Sequence, residues 1–210
     1  PLHQIQIPEL KSHLVLIGKD SRAKNLSMMA KRHNLPYVSI IFDPVIVKRR
    51  QKLGEMVIYG DAVNEPILLK AHVNTAEVVV ISIGDFITSM AVIDKVRTIN
   101  KHAHIIVRSK FIDDIEYLYR LGANQVIPEE FETSIQLFER VLKKYLVPQN
   151  EIDSTILKIR DDNYGFFFDK SESEKPSLLN EIPNIEVYAL KINDFPFMID
   201  KSILELKFRN

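Results

Sequence analysis

Between His13 and Ile127 short apolar runs alternate with helical stretches, and few architectures accept that pattern. The runs Leu14–Ile17, Tyr37–Phe42, Met56–Tyr59, Glu77–Ile83, Ile105–Val107 and Gln125–Ile127 read as strands. Val78-Val79-Val80-Ile81 lacks polar alternation, the pattern of a strand covered on both faces. Between the runs lie predicted helices at Lys24 to His33, Pro44 to Lys52, Pro66 to His72, Met90 to Ile99 and Asp113 to Leu121. The first carries Leu26, Met29, Ala30 and His33 on one stripe, and Gly54 closes the second. Six strands joined through helices by short connections predict an α/β, Rossmann-like, doubly wound and mostly parallel sheet. Right-handed crossovers put the carboxyl ends of such strands on one edge. Gly18, Asp43, Gly60-Asp61, Ser82 and Arg108 fall at those ends and are expected to ring one crevice.

At the first strand end, Gly18-Lys19-Asp20-Ser21-Arg22-Ala23 stands where a dinucleotide-binding turn would read G-x-G-x-x-G/A. The first glycine of that turn is kept, and the second, which lets backbone approach a pyrophosphate, is Asp20. At a helix N-terminus an Asp or Ser side chain accepts the orphan N–H bonds that a phosphate would otherwise take. Asp20 or Ser21 is therefore expected to cap the helix internally. A carboxylate there would repel a phosphate about 4 Å away by roughly 4 kcal/mol at an effective dielectric near 20. Arg22 or Lys24 could offset part of this, but both are read as solvated. Dinucleotide binding is then expected to be weak or lost, while a mononucleotide such as AMP needs fewer phosphate contacts and stays open.

Beyond the sixth strand, Pro128-Glu129-Glu130 leads into an amphipathic helix, Phe131 to Leu146, with Ile135, Phe138, Val141, Leu142 and Tyr145 at helical spacing. Glu129, Glu130 and Glu132 suit the positive end of its dipole. Pro148 ends it. Glu151 to Arg160 reads as a further helix, Tyr164 to Phe168 and Ile185 to Ile192 as strands, and Ser202 to Leu206 as a helix start. The 210 residues carry 28 basic and 28 acidic side chains, so no basic surplus points to nucleic acid. With no Cys there is no disulfide, thiolate metal site or Cys nucleophile. No apolar run approaches the roughly 20 residues that span a bilayer, and the chain, opening on Pro1, reads as a segment of a longer protein. G-x-S-x-G, H-E-x-x-H and G-x-x-x-x-G-K-[ST] are all missing. His102 and His104 lack a third ligand nearby in sequence, and Lys48-Arg49-Arg50-Gln51-Lys52 reads as a solvated helix face.

Three stretches carry a family resemblance. They are Ile58-Tyr59-Gly60-Asp61-Ala62, Ile105-Ile106-Val107-Arg108, and the run from Leu121-Gly122-Ala123 through Ile127-Pro128-Glu129-Glu130 to Ser134. From about Glu9 to Tyr164 the sequence resembles the RCK or TrkA-N regulatory domain, and within it the cytosolic domain of Kef-type potassium-efflux (cation:proton) antiporters. The resemblance implies residues 1–12 as a linker from a membrane domain and 13–130 as a Rossmann-like N-terminal domain. It makes 131–148 a crossover helix, and 149–210 a hinge with part of a C-terminal subdomain. It also implies a non-enzymatic, ligand-sensing module at the cytoplasmic face of a membrane, which forms a homodimer through helix 131–148 and gates the transmembrane transport domain of its own chain. By position, phosphate, adenosine and ligand contacts fall on Gly18, on Gly60-Asp61-Ala62 and on Arg108, with Ser82 in the same crevice. The acidic ribose position falls on Ile41, so that contact is missing; Asp43 is either its substitute or the cap of the helix that Pro44 opens. An adenine nucleotide (AMP, ADP or NAD(H)) is the implied cofactor, weakened by Asp20 and Ile41. A nucleotide-dependent oxidoreductase and a decayed dimerisation module without nucleotide remain as other readings of this fold.

Overall fold

The computed structural model describes residues 7–161 and Tyr164. The expected strand at 164–168 beyond Tyr164, the strand at 185–192, the helix start at 202–206 and the first half of the linker lie outside the described residues. The chain divides into two compact units, 1–138 and 139–210.

In the first unit, six strands form one parallel sheet in the order β3-β2-β1-β4-β5-β6. They are β1 (Leu14–Ile17), β2 (Tyr37–Ile41), β3 (Val57–Tyr59), β4 (Val78–Ile81), β5 (His104–Ser109) and β6 (Gln125–Pro128). Ile17 is level with Ile40 on one side and Ile81 on the other. Strand order reverses between β1 and β4, which opens a crevice at their carboxyl ends. All five residues of β2 are buried. In β4, Val79 and Ile81 are buried while Val78 and Val80 are half-buried, so one face is covered less completely than the apolar run implies.

The helices are α1 (Ser21–Arg32), α2 (Pro44–Lys52), α3 (Glu65–Lys70), α4 (Phe86–Ile99), α5 (Ile115–Arg120) and α6 (Glu129–Lys144). Acidic caps set three of their starts: Asp20 accepts from the Ala23 N–H, Asp43 from Val45 and Ile46, and Asp85 from Thr88. The Asp85 cap starts α4 four residues before the expected Met90. α6 also starts earlier than expected, with Glu129 and Glu130 inside its first turn. It continues past Phe138 into the second unit, where α7 (Gln149–Asp161) buries Ile152 and Ile159. No helix among the described residues is long and apolar enough to cross a membrane.

Two sequence expectations fail here. The stripe that α1 turns to the sheet is Ala23, Ser27 and Ala30, whereas Leu26 is marginally exposed, Met29 is 58% exposed and His33 is the C-cap. Small side chains let the helix lie close to the sheet, and the larger apolar ones are left at its flank. The second failure is Arg50, expected on a solvated face but only 5% exposed. Its guanidinium pairs with Glu55 (2.5 Å) and donates to Ser27 Oγ (2.6 Å) and Ser39 Oγ (3.4 Å), tying α2 to α1 and β2. Lys48, Arg49 and Lys52 do face solvent.

Removing one member of a buried ion pair leaves the other charged and unpaired. Arg50→Ala should cost about 3–5 kcal/mol in urea unfolding, and Arg50→Met with Glu55→Leu should recover most of that loss. His13, 1% exposed, hydrogen-bonds through Nε2 to the Ala71 carbonyl (2.9 Å), and its Nδ1 is buried with no partner among the described residues. Burial lowers its pKa, the Ala71 bond raises it less, and the His72 charge lowers it further. The unfolded chain therefore takes up the proton first, so stability holds above the ordinary histidine range near pH 6.5 and falls as pH drops below it. The slope should not exceed about 1.4 kcal/mol per pH unit, and His13→Gln should flatten it between pH 7.5 and 5.5.

Candidate functional site

At the sheet's switch point the carboxyl ends of β1, β2, β3, β4 and β5 surround a crevice of about 530 Å³, within the range of small-molecule sites. Gly18, Asp20, Gly60, Asp61, Ala62, Ser82 and Arg108 all line it, and so do Lys19, Arg22, Phe42, Gly84 and Lys110. Ser21 and Asp43 are not among the lining residues. Asp43 spends Oδ1 on the Val45 and Ile46 N–H groups, which decides the open question in favour of the helix cap. Ile41 is fully buried in the core with Val47 and Val57, so no ribose hydroxyl reaches it.

Gly18 has φ +151° and a Cβ there would stand 2.9 Å from the Ser82 carbonyl oxygen. No L side chain suits that position, and the turn from β1 to α1 therefore hugs β4. A Cβ on Gly84 would stand 2.9 Å from Arg108 Nη2, so this glycine leaves the space in which the guanidinium lies. Asp61 Oδ1 accepts from the Val63 N–H (3.1 Å), holding the turn after β3. Phe42 is 63% exposed and stacks on Tyr59 with ring centroids 5.9 Å apart, giving the crevice an aromatic wall.

Asp20 is bound on several sides. Oδ1 takes the Ala23 N–H at 3.0 Å and the Ser82 hydroxyl at 3.4 Å, and Oδ2 takes Arg22 Nε at 2.8 Å. Burial alone would raise its pKa. The Ala23 bond, the hydrogen bond and charge of Arg22, and the Arg108 charge outweigh burial and hold the carboxyl below the ordinary Asp range. Asp20, and not Ser21, is thus the cap, and it stays ionised.

Arg22 is exposed, as the sequence suggests, but it is ion-paired. Its Nη1 reaches Glu129 Oε1, and Glu129 Oε2 takes Arg108 Nη1. Two acids and two arginines thus form one chain, Asp20–Arg22–Glu129–Arg108, with no net charge. The repulsion expected from Asp20 is offset on site, while Lys19 and Lys110 keep the crevice lining basic. Nothing local in the sequence marks the pairing of Glu129 with Arg22, 107 residues away. The sheet register is the only clue: Ser109 stands opposite Pro128, so the end of β6 lies beside the end of β5. Phe42 and Gly84 also escape sequence reasoning, although Phe42 directly follows β2 and Gly84 lies three residues past the end of β4. Among the described residues no group of three or more His, Cys, Asp or Glu is placed to hold a metal, and His102 and His104 join none.

The family model described as the TrkA-N domain matches residues 14–129. Over 135 residues the chain is 27% identical to the "Putative cation/proton antiporter YbaL" of Escherichia coli (strain K12), covering 64% of this chain and 24% of that protein. The crystal structure of the YbaL TrkA-N domain superposes with a TM-score of 0.61 at 25% identity, over 63% of this chain and 98% of that one. The "Glutathione-regulated potassium-efflux system protein KefC" of Salmonella arizonae is 25% identical over 138 residues, 66% of this chain and 22% of that protein. A Kef C-terminal domain from Shewanella denitrificans, solved in AMP-bound form, shares the fold with a TM-score of 0.55 at 16% identity over 74% of this chain and 90% of that one. The chain thus spans about a quarter of the length of these curated relatives. With more than half its residues matched, the turn after β1 and the crevice it shapes are those of a family fold: the chain belongs to the TrkA-N domain family.

Proposed function

We propose that this chain is the cytosolic, ligand-sensing regulatory domain of a potassium transport or cation:proton antiport protein, and that its crevice takes an adenine nucleotide. One observation carries the reading. A TrkA-N fold keeps a nucleotide-sized crevice at its switch point, with the close Gly18 turn and four cations, Lys19, Arg22, Arg108 and Lys110, in its wall. The AMP in the Shewanella Kef domain points to the same ligand class. Asp20 caps α1 and removes the usual pyrophosphate seat, which favours a mononucleotide over NAD(H). Regulation then needs no bond making. A ligand that binds two arrangements of the domain with different affinities shifts their populations by that difference.

The partners follow from the same reading. This module lies at the cytoplasmic face of the membrane that holds the transmembrane transport domain of the full-length protein, and a second copy packs on the α6 segment, within the expected crossover helix 131–148. On α6, Leu137 and Val141 are 61% and 47% exposed and lie one turn apart. The Asp20 cap also supports a second reading, a dimerisation module that holds no nucleotide.

Titration calorimetry with AMP, ADP, ATP, NAD and NADH separates the two. AMP should bind the wild type more tightly than NAD or NADH. Asp20→Gly should tighten AMP by about tenfold, because it removes one partly compensated charge and costs the cap only a few tenths of a kcal/mol. Arg108→Gln should weaken AMP by about tenfold or more. Absence of binding in both the wild type and Asp20→Gly leaves the dimerisation module as the correct reading. Light scattering should find a dimer that Val141→Glu converts to monomer without loss of helical content.

A further inference from the structure

Glu129 spans two cations that differ in their surroundings. The Arg22 side chain is 46% exposed and stands on α1, whereas the Arg108 side chain is 10% exposed at the end of β5. Glu129 itself is 38% exposed and is the first residue of α6. A guanidinium carries five N–H donors and matches the oxygens of a phosphate in a bidentate fork. Arg108 gives Glu129 a single Nη1, and its Nε is buried with no partner among the described residues. Such a buried, half-used guanidinium in the wall of a crevice lacks acceptor oxygens. A carboxylate has two, and Glu129 has already given one of them to Arg22. A phosphate monoester offers three and carries a higher charge. The ordinary seat for that group, the first turn of α1, is closed by the Asp20 side chain.

We propose that the Glu129 carboxylate is a resident stand-in for the phosphoryl group of the ligand. The monophosphate of an adenine mononucleotide takes Arg22 and Arg108 in its place, and the release of Glu129 unties the first turn of α6 from β5 and α1. This rests on the nucleotide reading above and adds to it where the phosphate sits and what its arrival moves. While Glu129 is held, the start of α6 is anchored by side chains from two other elements. Once it is released, that turn keeps its own bonds, such as Thr133 Oγ1 to the Glu129 carbonyl, and its favourable dipole, but not the cross-ties. α6 is also the covalent continuation of the sheet unit into the second unit, so its first turn is where ligand occupancy and the rest of the chain are joined.

The probes are AMP and adenosine, which share the base and ribose and differ in the phosphate. In Glu129→Gln, AMP should bind about fivefold tighter or better, the scale of one released ion pair, with adenosine changed by less than about twofold. In the wild type, hydrogen exchange of the amides at residues 133–138 should be faster with saturating AMP than without, and adenosine should leave it unchanged. This second measurement needs no variant and survives any folding defect in the first. AMP affinity that is unchanged or weaker in Glu129→Gln, or slower exchange in the first turns of α6 on AMP binding, overturns the exchange of Glu129 for phosphate while leaving nucleotide binding intact. Failure of every protein, Asp20→Gly included, to bind any adenine nucleotide overturns the functional reading and this one together.

Discussion

The close approach of two backbones, at Gly18 and Ser82, conditions everything on the functional edge of this sheet. β1 is the central strand, paired with both β2 and β4, and its last residue is level with both neighbours. The Ser82 N–H donates to the Ile17 carbonyl (2.8 Å) and the Gly18 N–H to Ile40 (3.2 Å), so the chain leaves the sheet within touching distance of β4. A side chain at residue 18 would collide with the Ser82 carbonyl. Because the turn hugs β4, the first residue before α1 faces Ser82 Oγ, and the crevice opens between them. The first glycine of the G-x-G turn is thus a requirement of the sheet itself, while the second serves the pyrophosphate that such a turn holds. Only the second has been exchanged.

That exchange is better understood as a set of charges than as a single substitution. An unpaired carboxylate in a recessed site would carry a desolvation cost and would favour its neutral form. Here the cap bond to Ala23, the Arg22 fork and the nearby Arg108 keep Asp20 ionised, and Glu129 balances the arginines in turn. The four groups come from the β1–α1 turn, the start of α1, β5 and the start of α6, so the charge balance also holds those elements in register. A crevice that is neutral at its centre and cationic at its edge presents an incoming anion with cations already positioned, at the expense of displacing the carboxylates they hold. On the function proposed above, ligand binding at this site would act on the helix starts that these charges tie together.

Local signals in the sequence foretold most of the scaffold. Short apolar runs placed the strands, with β2 buried at all five positions. The Asp–Pro pair at 43–44 and the acid at 20 placed helix starts, because a cap needs only residues within one turn. The clustering of Gly18, Gly60-Asp61, Ser82 and Arg108 followed from topology, given that all parallel strands end on one edge. The sense in which α1 meets the sheet was not legible. Its large apolar residues suggested a stripe through Leu26 and Met29, yet close packing selected Ala23, Ser27 and Ala30. Periodicity ranks residues by hydrophobicity, and the distance between helix and sheet then chooses by size.

What the sequence alone determined is the order of elements, the family, and the fact that the phosphate turn carries an acid, all of which depend on neighbours a few residues apart. Only the tertiary structure decided what that acid does. It buried Arg50 against Glu55, Ser27 and Ser39, which a run of basic residues concealed, and it joined Arg22 to Glu129 and Arg108 across the sheet edge. The physical reason is one of range. Caps and periodicities are settled within a turn or two of chain, whereas an ion pair between residues far apart exists only once strand order and register have set their ends side by side.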